Sequence, residues 1–455
     1  VLRRLSAFAG GATLEGAEAV CAGGDVDALY ILDVLGRLVE KSLVFIDPTL
    51  AEARFRLLET VRDYARTRLI EAGEGDVTLH RHRDWYLALV DEAAPAFFQG
   101  PEPAQWLRRL DTEHDDLRAA LEWCLDRPGE GGSGLRIAAG LWRYWEIRGH
   151  LTEGRGWLER MVAAVGGEVS PLRANALTGA GNLAFMQGDF RAASRFHEAS
   201  LALHREMGDA LSVAAAANNL ANTAVQLGDY ARGRELYGET IAISRAQHDV
   251  RGVAFGSINL ADVATRQGDH EEARQLHTEI LALIRELGDR WVEAFVLDAF
   301  GRATSLAGDM DAARSLHIEA LAILEELGDR RGVARVLTNL AGVALASGDT
   351  PRARDLYRQG LAIRQDLGDM PGLASAMESL AGAVAADDAE AAARLHGAAE
   401  SLRESIRAIV PPQAAAMHDQ NLAELGTLLG AERFEAARHE GRQMTPNEAL
   451  ATLPL

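Results

Sequence analysis

The dipeptide Gly-Asp returns with a 40-residue period, at 188, 228, 268, 308 and 348. A period of that length, held over five copies, points to a stacked array and away from one closed core. A second series at 208, 288, 328 and 368 falls midway, with His248-Asp249 filling its gap. Two turns per period mean two helices per period. Glycine suits the left-handed position that ends a helix, and aspartate caps the free N–H groups that begin the next. Asp269 precedes Glu272 by three residues, a capping-box spacing. Between turns, Ala273, Leu276, Ile280, Leu281 and Ile284 recur at helical spacing and make one apolar stripe. A lone hairpin cannot cover that stripe, so neighbours must stack. The expected fold is mainly α, an α-solenoid superhelix with a concave face.

The strong array runs from 170 to 369, with a degenerate sixth unit over 370–409 that is one residue short at its Asp387-Asp388 turn. Pro411-Pro412 ends it, and 410–455 reads as short helices capping the last apolar face. Residues 1–77 have no such unit. They carry short amphipathic helices (VLRRLSAFAG, LEGAEAVCAG, DALYILDVLGRLVEKS), then a strand-like LVFID, a turn around Asp47-Pro48, and ARFRLLETVRDYARTRLIEAGE as a strand entering a helix. Three helices and a hairpin make a winged-helix layout. Residues 78–169 form a helical arm between the two.

Composition narrows the function. A chain of 455 residues with 48% hydrophobic and 25% charged residues is that of a folded protein. It has no stretch of about 18 or more apolar residues, and a cytoplasmic location is expected. Cys21 and Cys124, the two cysteines, sit in amphipathic helical sequence as small buried hydrophobes of a reducing compartment. A net charge of -20 argues against a nucleic-acid wrapper. The start at Val1, without a secretory pattern, reads as a cut or processed end.

No catalytic motif emerges, and the chain is expected not to be an enzyme. Gly36 to Ser42 has Glu40 where a phosphate-cradling loop needs glycine. His80 and His82, two apart on a helix, point to different faces and do not suit a metal. No G-x-S-x-G elbow occurs, and the Gly129 to Gly134 run around Ser133 reads as a flexible loop.

The blocks ANNLANTAVQLGDYARGRELYGETIAI, SINLADVATRQGDHEEARQLHTEILAL and LTNLAGVALASGDTPRARDLYRQGLAI resemble tetratricopeptide repeats of the longer kind found in kinesin light chains. The resemblance implies that the first helix of each pair lines the groove, with an Asn contacting a bound peptide backbone. Asn182 and Asn222 match that position, while Asp262, Arg302 and Gly342 depart from it. Asn219, Asn259 and Asn339 form a second column, whose amides either cross-link adjacent repeats or contact a ligand. The partner-binding candidates are thus Asn182, Asn219, Asn222, Asn259, Asp262, Arg302 and Asn339. The lysines that clamp a carboxylate in chaperone-binding relatives are missing, since the sole lysine is Lys41. His197, Tyr237, His277, His317, Tyr357 and His396 form a ring column in the second helices. Those helices lie roughly 10 Å apart, too far for shared metal ligation, so packing is expected.

RLSAFAGG, LVEKSLV and RFRLLETVRDYARTRL, with HRDWYLALVDEAAPAF, EHDDLRAALEWCL and LWRYWEIRGHLTEGRGWLERM, resemble bacterial signal-transduction ATPases of the NB-ARC or AP-ATPase type, including AfsR-like and LuxR/MalT-like regulators. The resemblance covers nearly the whole chain and implies an ATPase domain upstream, which would hold ATP or ADP and magnesium; this chain is expected to hold no cofactor. Where eukaryotic relatives carry Met-His-Asp against the nucleotide, this sequence has Leu57, Leu58 and Glu59, read as two core residues and a capping or ion-pairing carboxylate. Residues 1–70 carry nine Lys/Arg and ten Asp/Glu, and the Asp27 to Ser42 helix offers Arg37 and Lys41 to phosphates. That balance favours protein contact over DNA. The leading expectation is a sensor region that binds a protein or peptide, or a small effector, in the repeat groove. The alternatives are a free-standing scaffold and a DNA-binding regulator.

Overall fold

The computed structural model describes residues 1–47, 53–99, 103–410 and 412–453. They divide into two compact units, Val1–Tyr144 with Gly156–Glu168, and Trp145–Arg155 with Val169–Leu455.

The first unit opens with α1 (Leu2–Leu5), α2 (Leu14–Cys21) and α3 (Ile31–Glu40), then β1 (Phe45–Asp47), β2 (Arg54–Arg56) and α4 (Glu59–Glu71). The strands pair antiparallel, Ile46 opposite Phe55, and Phe55 also exchanges backbone hydrogen bonds with Ala12 at 2.8 and 3.0 Å. The hairpin is thereby tied to the entry of α2, whose first turn is capped by Thr13. Leu5, Phe8, Val20, Ile31, Leu35 and Leu69 fill the core. From Pro48 on, the expected turn lies outside the described residues. Leu58 departs from expectation: it is the extended residue that precedes α4 and is 56% exposed, not core. An N-cap in extended conformation turns its side chain away from the helix face it starts, while Glu59 sits exposed in the first turn.

The arm follows as α5 (Gly75–Gln99), α6 (Pro103–Thr112), α7 (His114–Asp126), α8 (Gly131–Arg148) and α9 (Leu151–Ala164). Gly131 to Gly134 is the first turn of α8 and not a flexible loop. Glycine serves close packing there: a Cβ on Gly134 would lie 2.6 Å from Met161 Sδ and 2.7 Å from Cys124 Cβ. Cys21 and Cys124 are buried, and burial pushes both thiols up to about 12.

The second unit contains the array: α10 (Pro171–Met186), α11 (Phe190–Met207), α12 (Ala210–Gln226), α13 (Tyr230–Ala246), α14 (Val250–Arg266), α15 (His270–Leu287), α16 (Arg290–Leu306), α17 (Met310–Leu327), α18 (Arg330–Ala346), α19 (Thr350–Leu367), α20 (Met370–Val384) and α21 (Ala389–Ile406). The turns are built as the dipeptide requires. Gly208, Gly288, Gly328 and Gly368 take left-handed φ of 64 to 73°, and Asp189, Asp209, Asp229, Asp269, Asp289, Asp309, Asp329, Asp349 and Asp369 each accept a backbone N–H of the helix they begin. The odd turn is His248-Asp249, where His248 is forced to φ 55° and Asp249 makes no side-chain cap. At Asp269 the cap from Glu272 N forms at 3.0 Å, but Glu272 does not reach back. Its carboxylate takes Arg234 Nη2 of the preceding hairpin at 2.6 Å.

After the array come α22 (Pro412–Leu429), α23 (Ala431–Arg442) and α24 (Pro446–Ala451). With 18 residues, α22 is as long as a repeat helix, so the expectation of short helices fails there. The close crossing is between α21 and α23, at Gly397 and Gly441, where a Cβ on Gly441 would fall 2.0 Å from Arg394 O. Leu425, Phe434, Ala449 and Leu453 join Leu395 in the apolar cluster that closes this end.

The turn chemistry is testable. A non-glycine residue held left-handed costs about 1 kcal/mol, so His248→Gly should raise the chemical-denaturation midpoint, and Asp309→Ala should lower stability by about 1 kcal/mol through its lost cap. An unchanged midpoint for both would mean that these turns do not set the register of the stack.

Candidate partner-binding site

The candidates lie on the first helices of successive hairpins: Asn182 on α10, Asn219 and Asn222 on α12, Asn259 and Asp262 on α14, Arg302 on α16 and Asn339 on α18. Arg302 is exposed and the others are half-buried. Their partners differ. Asn222 Oδ1 accepts the Tyr237 hydroxyl at 2.6 Å, and Asp262 Oδ2 accepts Arg266 Nε at 2.7 Å. Asn259 Nδ2 donates to Asn218 Oδ1 of the preceding hairpin at 2.9 Å, and Asn339 Nδ2 donates to Asp298 Oδ1 at 2.8 Å. The side chains of Asn182, Asn219 and Arg302 have no hydrogen-bond partner among the described residues. Asp262 and Arg302, from adjacent hairpins, line a cavity of about 20 Å³ together with His277. That is room for about one water.

Asp298 was not singled out by the sequence. It is 3% exposed on α16, with Arg335 Nε on Oδ2 at 2.9 Å, Asn339 on Oδ1 and His317 Nδ1 3.0 Å from Oδ1. Burial alone would raise its pKa, but the adjacent His317 ring and the charges of Arg335 and Arg302 outweigh it and hold the carboxyl below the usual carboxylate range. The available signal was weak: position 298 shares its 40-residue column with Asn218, but also with Ile258 and Thr338.

The rings at 197, 237, 277, 317, 357 and 396 are all buried. They pack on small residues of the facing helices. A Cβ on Gly181 would lie 2.4 Å from His197, and one on Gly301 2.7 Å from His317. His277 stacks on Phe300 with 5.1 Å between ring centres.

The first unit holds a second polar cluster that sequence reading missed. Asp116, fully buried on α7, accepts the backbone N–H groups of Ala9 at 2.6 Å and Gly10 at 2.8 Å, with His82 Nε2 at 3.0 Å. Arg54 of β2 donates to Glu113 and to Gly11 O, and Tyr86 donates to Glu113 at 2.8 Å. His82 is therefore a buried structural residue on α5, while His80 lies 3.8 Å from Glu130. Among the described residues no group of three or more His, Cys, Asp or Glu is placed to hold a metal ion, and no helix is long and apolar enough to cross a membrane.

Residues 212–286, 253–326 and 294–366 match the tetratricopeptide repeat family, and residues 1–70 match a winged helix-turn-helix domain. The chain carries tetratricopeptide repeats behind a winged helix-turn-helix domain. This winged-helix repeat protein is 41% identical over 163 residues to a Mycobacterium tuberculosis protein named as an HTH-type transcriptional regulator. That match covers 36% of this chain and 18% of the relative, so the chain spans less than a fifth of the relative's length. Similar solved structures include a Rap protein complexed with competence and sporulation factor, at 16% identity over 81% of this chain and 99% of that one (TM-score 0.49). Another is a signal transduction ATPase with numerous domains and a tetratricopeptide repeat sensor from Pyrococcus horikoshii, at 15% identity over 99% of this chain and 62% of that one (TM-score 0.42).

Two outcomes follow for the winged-helix repeat protein. Asp298→Ala strands Asn339 and removes the partner of the part-exposed Arg335, and should destabilise the array by about 1–3 kcal/mol; no measurable loss in chemical denaturation would show the cluster to be solvated. Burial holds His197 and His396 down at about 4, from an ordinary 6.5. The unfolded chain then binds protons first as pH falls, so stability is full above about 6.5 and is lost towards 4, by about 3 kcal/mol per histidine. His197→Gln should remove about one proton from that slope, read from unfolding midpoints between pH 7 and 5. An unaltered slope would mean that His197 already carries its charge in the fold.

Proposed function

We propose that this chain is the sensor and partner-binding region of a cytoplasmic bacterial signal-transduction ATPase or transcriptional regulator. Its repeats take up a protein or peptide segment, or a small effector, in the groove lined by Asn182, Asn219, Asn222, Asn259, Asp262, Arg302 and Asn339. Its winged helix passes that event to an ATPase domain elsewhere. The observation that carries this reading is the order of winged helix, helical arm and repeats in one chain. The relative named as a transcriptional regulator supports it.

Within the groove, Asn182, Asn219 and Arg302 are the side chains free to donate to a ligand, because no internal hydrogen bond uses them. Amides and a guanidinium suit a peptide backbone, whose N–H and C=O groups need partners on leaving water. Asn259 and Asn339, already engaged between hairpins, hold the wall in place. The winged helix exposes Leu29, Tyr30 and Leu32, at 85, 63 and 52%, beside α3, whose one cation is Arg37. Exposed apolar side chains of that size favour a protein face over a phosphate backbone. A DNA-contacting role is the second reading, favoured by the match of residues 1–70 to a winged helix-turn-helix domain. Salt-dependent retardation of DNA by the chain would support it, and none would remove it. The chain itself does no chemistry in this account; nucleotide and magnesium belong to the ATPase domain.

With the full chain as bait, Asn182→Ala with Asn219→Ala should cut partner capture about tenfold and leave the melting temperature in place, since neither side chain makes an internal hydrogen bond. Equal capture would put binding outside this groove. Supplied with ATP and magnesium, the chain should stay at the buffer's hydrolysis rate, and robust turnover would refute the non-enzymatic assignment.

A further inference from the structure

Where the array ends, α21 and the segment from Arg407 to Val410 face α20, α22 and α23 across a cavity of about 390 Å³. That volume is within the range of small-molecule sites, about 300–1,000 Å³. His396 lines it. Its ring is 2% exposed, and neither nitrogen has a hydrogen-bond partner. His418 packs edge-on against it, ring centres 5.5 Å apart, and Nδ1 of His418 makes no hydrogen bond, its nearest carboxylate being Glu378 Oε1 at 3.6 Å. A buried imidazole without a partner costs about 1–3 kcal/mol, so the cavity is built to hold something polar.

The charges on the wall say which polar group. Glu378 is clasped by Arg403 at 2.9 and 2.8 Å, and Glu400 by Arg438 at 2.9 and 2.8 Å. Glu404 is taken by Arg442 at 2.6 Å. Each lining carboxylate is therefore neutralised, as are the two arginines Arg403 and Arg438. Arg407 remains, the lining cation with no ion pair among the described residues. It occupies the left-handed C-cap of α21 at φ 51°, where α11, α15, α17 and α19 end on glycine. Glycine would relieve the backbone at that position, so the guanidinium is kept at a conformational cost. Ile409, Val410 and Leu422 line the rest with apolar surface.

We propose that this cavity binds an organic carboxylate with an apolar body: Arg407 pairs with the carboxylate, the imidazoles of His396 and His418 hydrogen-bond to it, and Ile409, Val410 and Leu422 cover the hydrocarbon. The site is separate from the groove of the repeats and does not rest on the reading given for it. It reaches the array through Ile409, whose N–H donates to Met186 O at 3.4 Å and whose side chain fills the space beside Gly188. The carboxylate belongs either to a free small acid or to the C-terminus of a peptide, and the probes separate the two.

Octanoate and acetyl-Leu-Leu with a free C-terminus would be titrated into the full chain by calorimetry, against octanol and the dipeptide amide. At least one of the two acids should bind one to one, about tenfold or more tighter than its uncharged counterpart, and should shift the 15N imidazole resonances of His396. Binding by octanoate alone assigns a free acid, and binding by the dipeptide alone a chain terminus. Arg407→Gln should lose about tenfold or more in affinity. Arg407→Gly should do the same while folding at least as well, because it removes the strained φ. Absence of binding by both acids at millimolar concentration would overturn the proposal. So would equal affinity for acid and uncharged counterpart, unchanged binding by Arg407→Gly, or binding that leaves the His396 resonances unmoved.

Discussion

Each hairpin of the array has an apolar face that it cannot cover itself, and everything else in the second unit follows from that shortage. Small residues on the first helices, Ala254, Ala261, Ala294, Ala334 and Ala341, let neighbouring backbones approach, and the large rings of the second helices fill what is left. One cluster of buried apolar side chains extends from Val253 and Ala254 to Ala449 and Leu453. Such a stack is held by contacts between neighbours, so its stability is close to a sum of hairpin and interface contributions. Ion pairs such as Arg205 with Glu239 and Arg285 with Glu319 cross between hairpins at the surface, but exposed pairs add at most about 1 kcal/mol each. The apolar interfaces decide the stack.

That same closeness sets the terms for polar groups. An amide or carboxylate caught between hairpins has lost its water and needs a partner from the chain. Asn259 with Asn218 and Asn339 with Asp298 are solutions to this problem, both reaching 41 residues back to the preceding hairpin. The first unit solves it with charge. There Asp116 and Glu113 gather Arg54, Tyr86, His82 and the N–H groups of Ala9 and Gly10, joining the β-hairpin and the α1–α2 link to α5 and α7. Replacing one member of such a cluster leaves the others buried without compensation, which makes the junction sensitive to single changes.

The periodic features were legible because they are local. Gly-Asp needs only a left-handed residue and an N-cap, and both appear where the dipeptide occurs. The ring column and the winged-helix order also follow from spacing along the chain. What escaped was set by groups far apart in sequence. Asp298 acquires its character from His317 and Arg335 on two other helices, and Asp116 from partners more than 100 residues away. Glu272 had the spacing of a capping box, yet a charged partner 38 residues back competes more strongly for its carboxylate than the N-cap amide. Glycine misled in the other direction. At Gly134 it signals a helix packed tightly on Met161 and Cys124, and composition alone cannot separate tight packing from looseness.

The end of the stack shows how one position changes its meaning with its neighbours. At 277 and 317 the imidazole is used inside the array: His277 engages Ala273 O at 2.8 Å and stacks on Phe300, and His317 lies against Asp298. At 396 the column continues, but α23 and not α22 makes the close crossing with α21, through the Gly397 and Gly441 approach. With its backbone that near to α21, α23 leaves α22 to border an open space, and the ring of His396 faces it with both nitrogens unused. A packing residue of the repeat thus becomes a polar group of a cavity without any change in its own chemistry, because the layer that would have satisfied it is no longer a repeat.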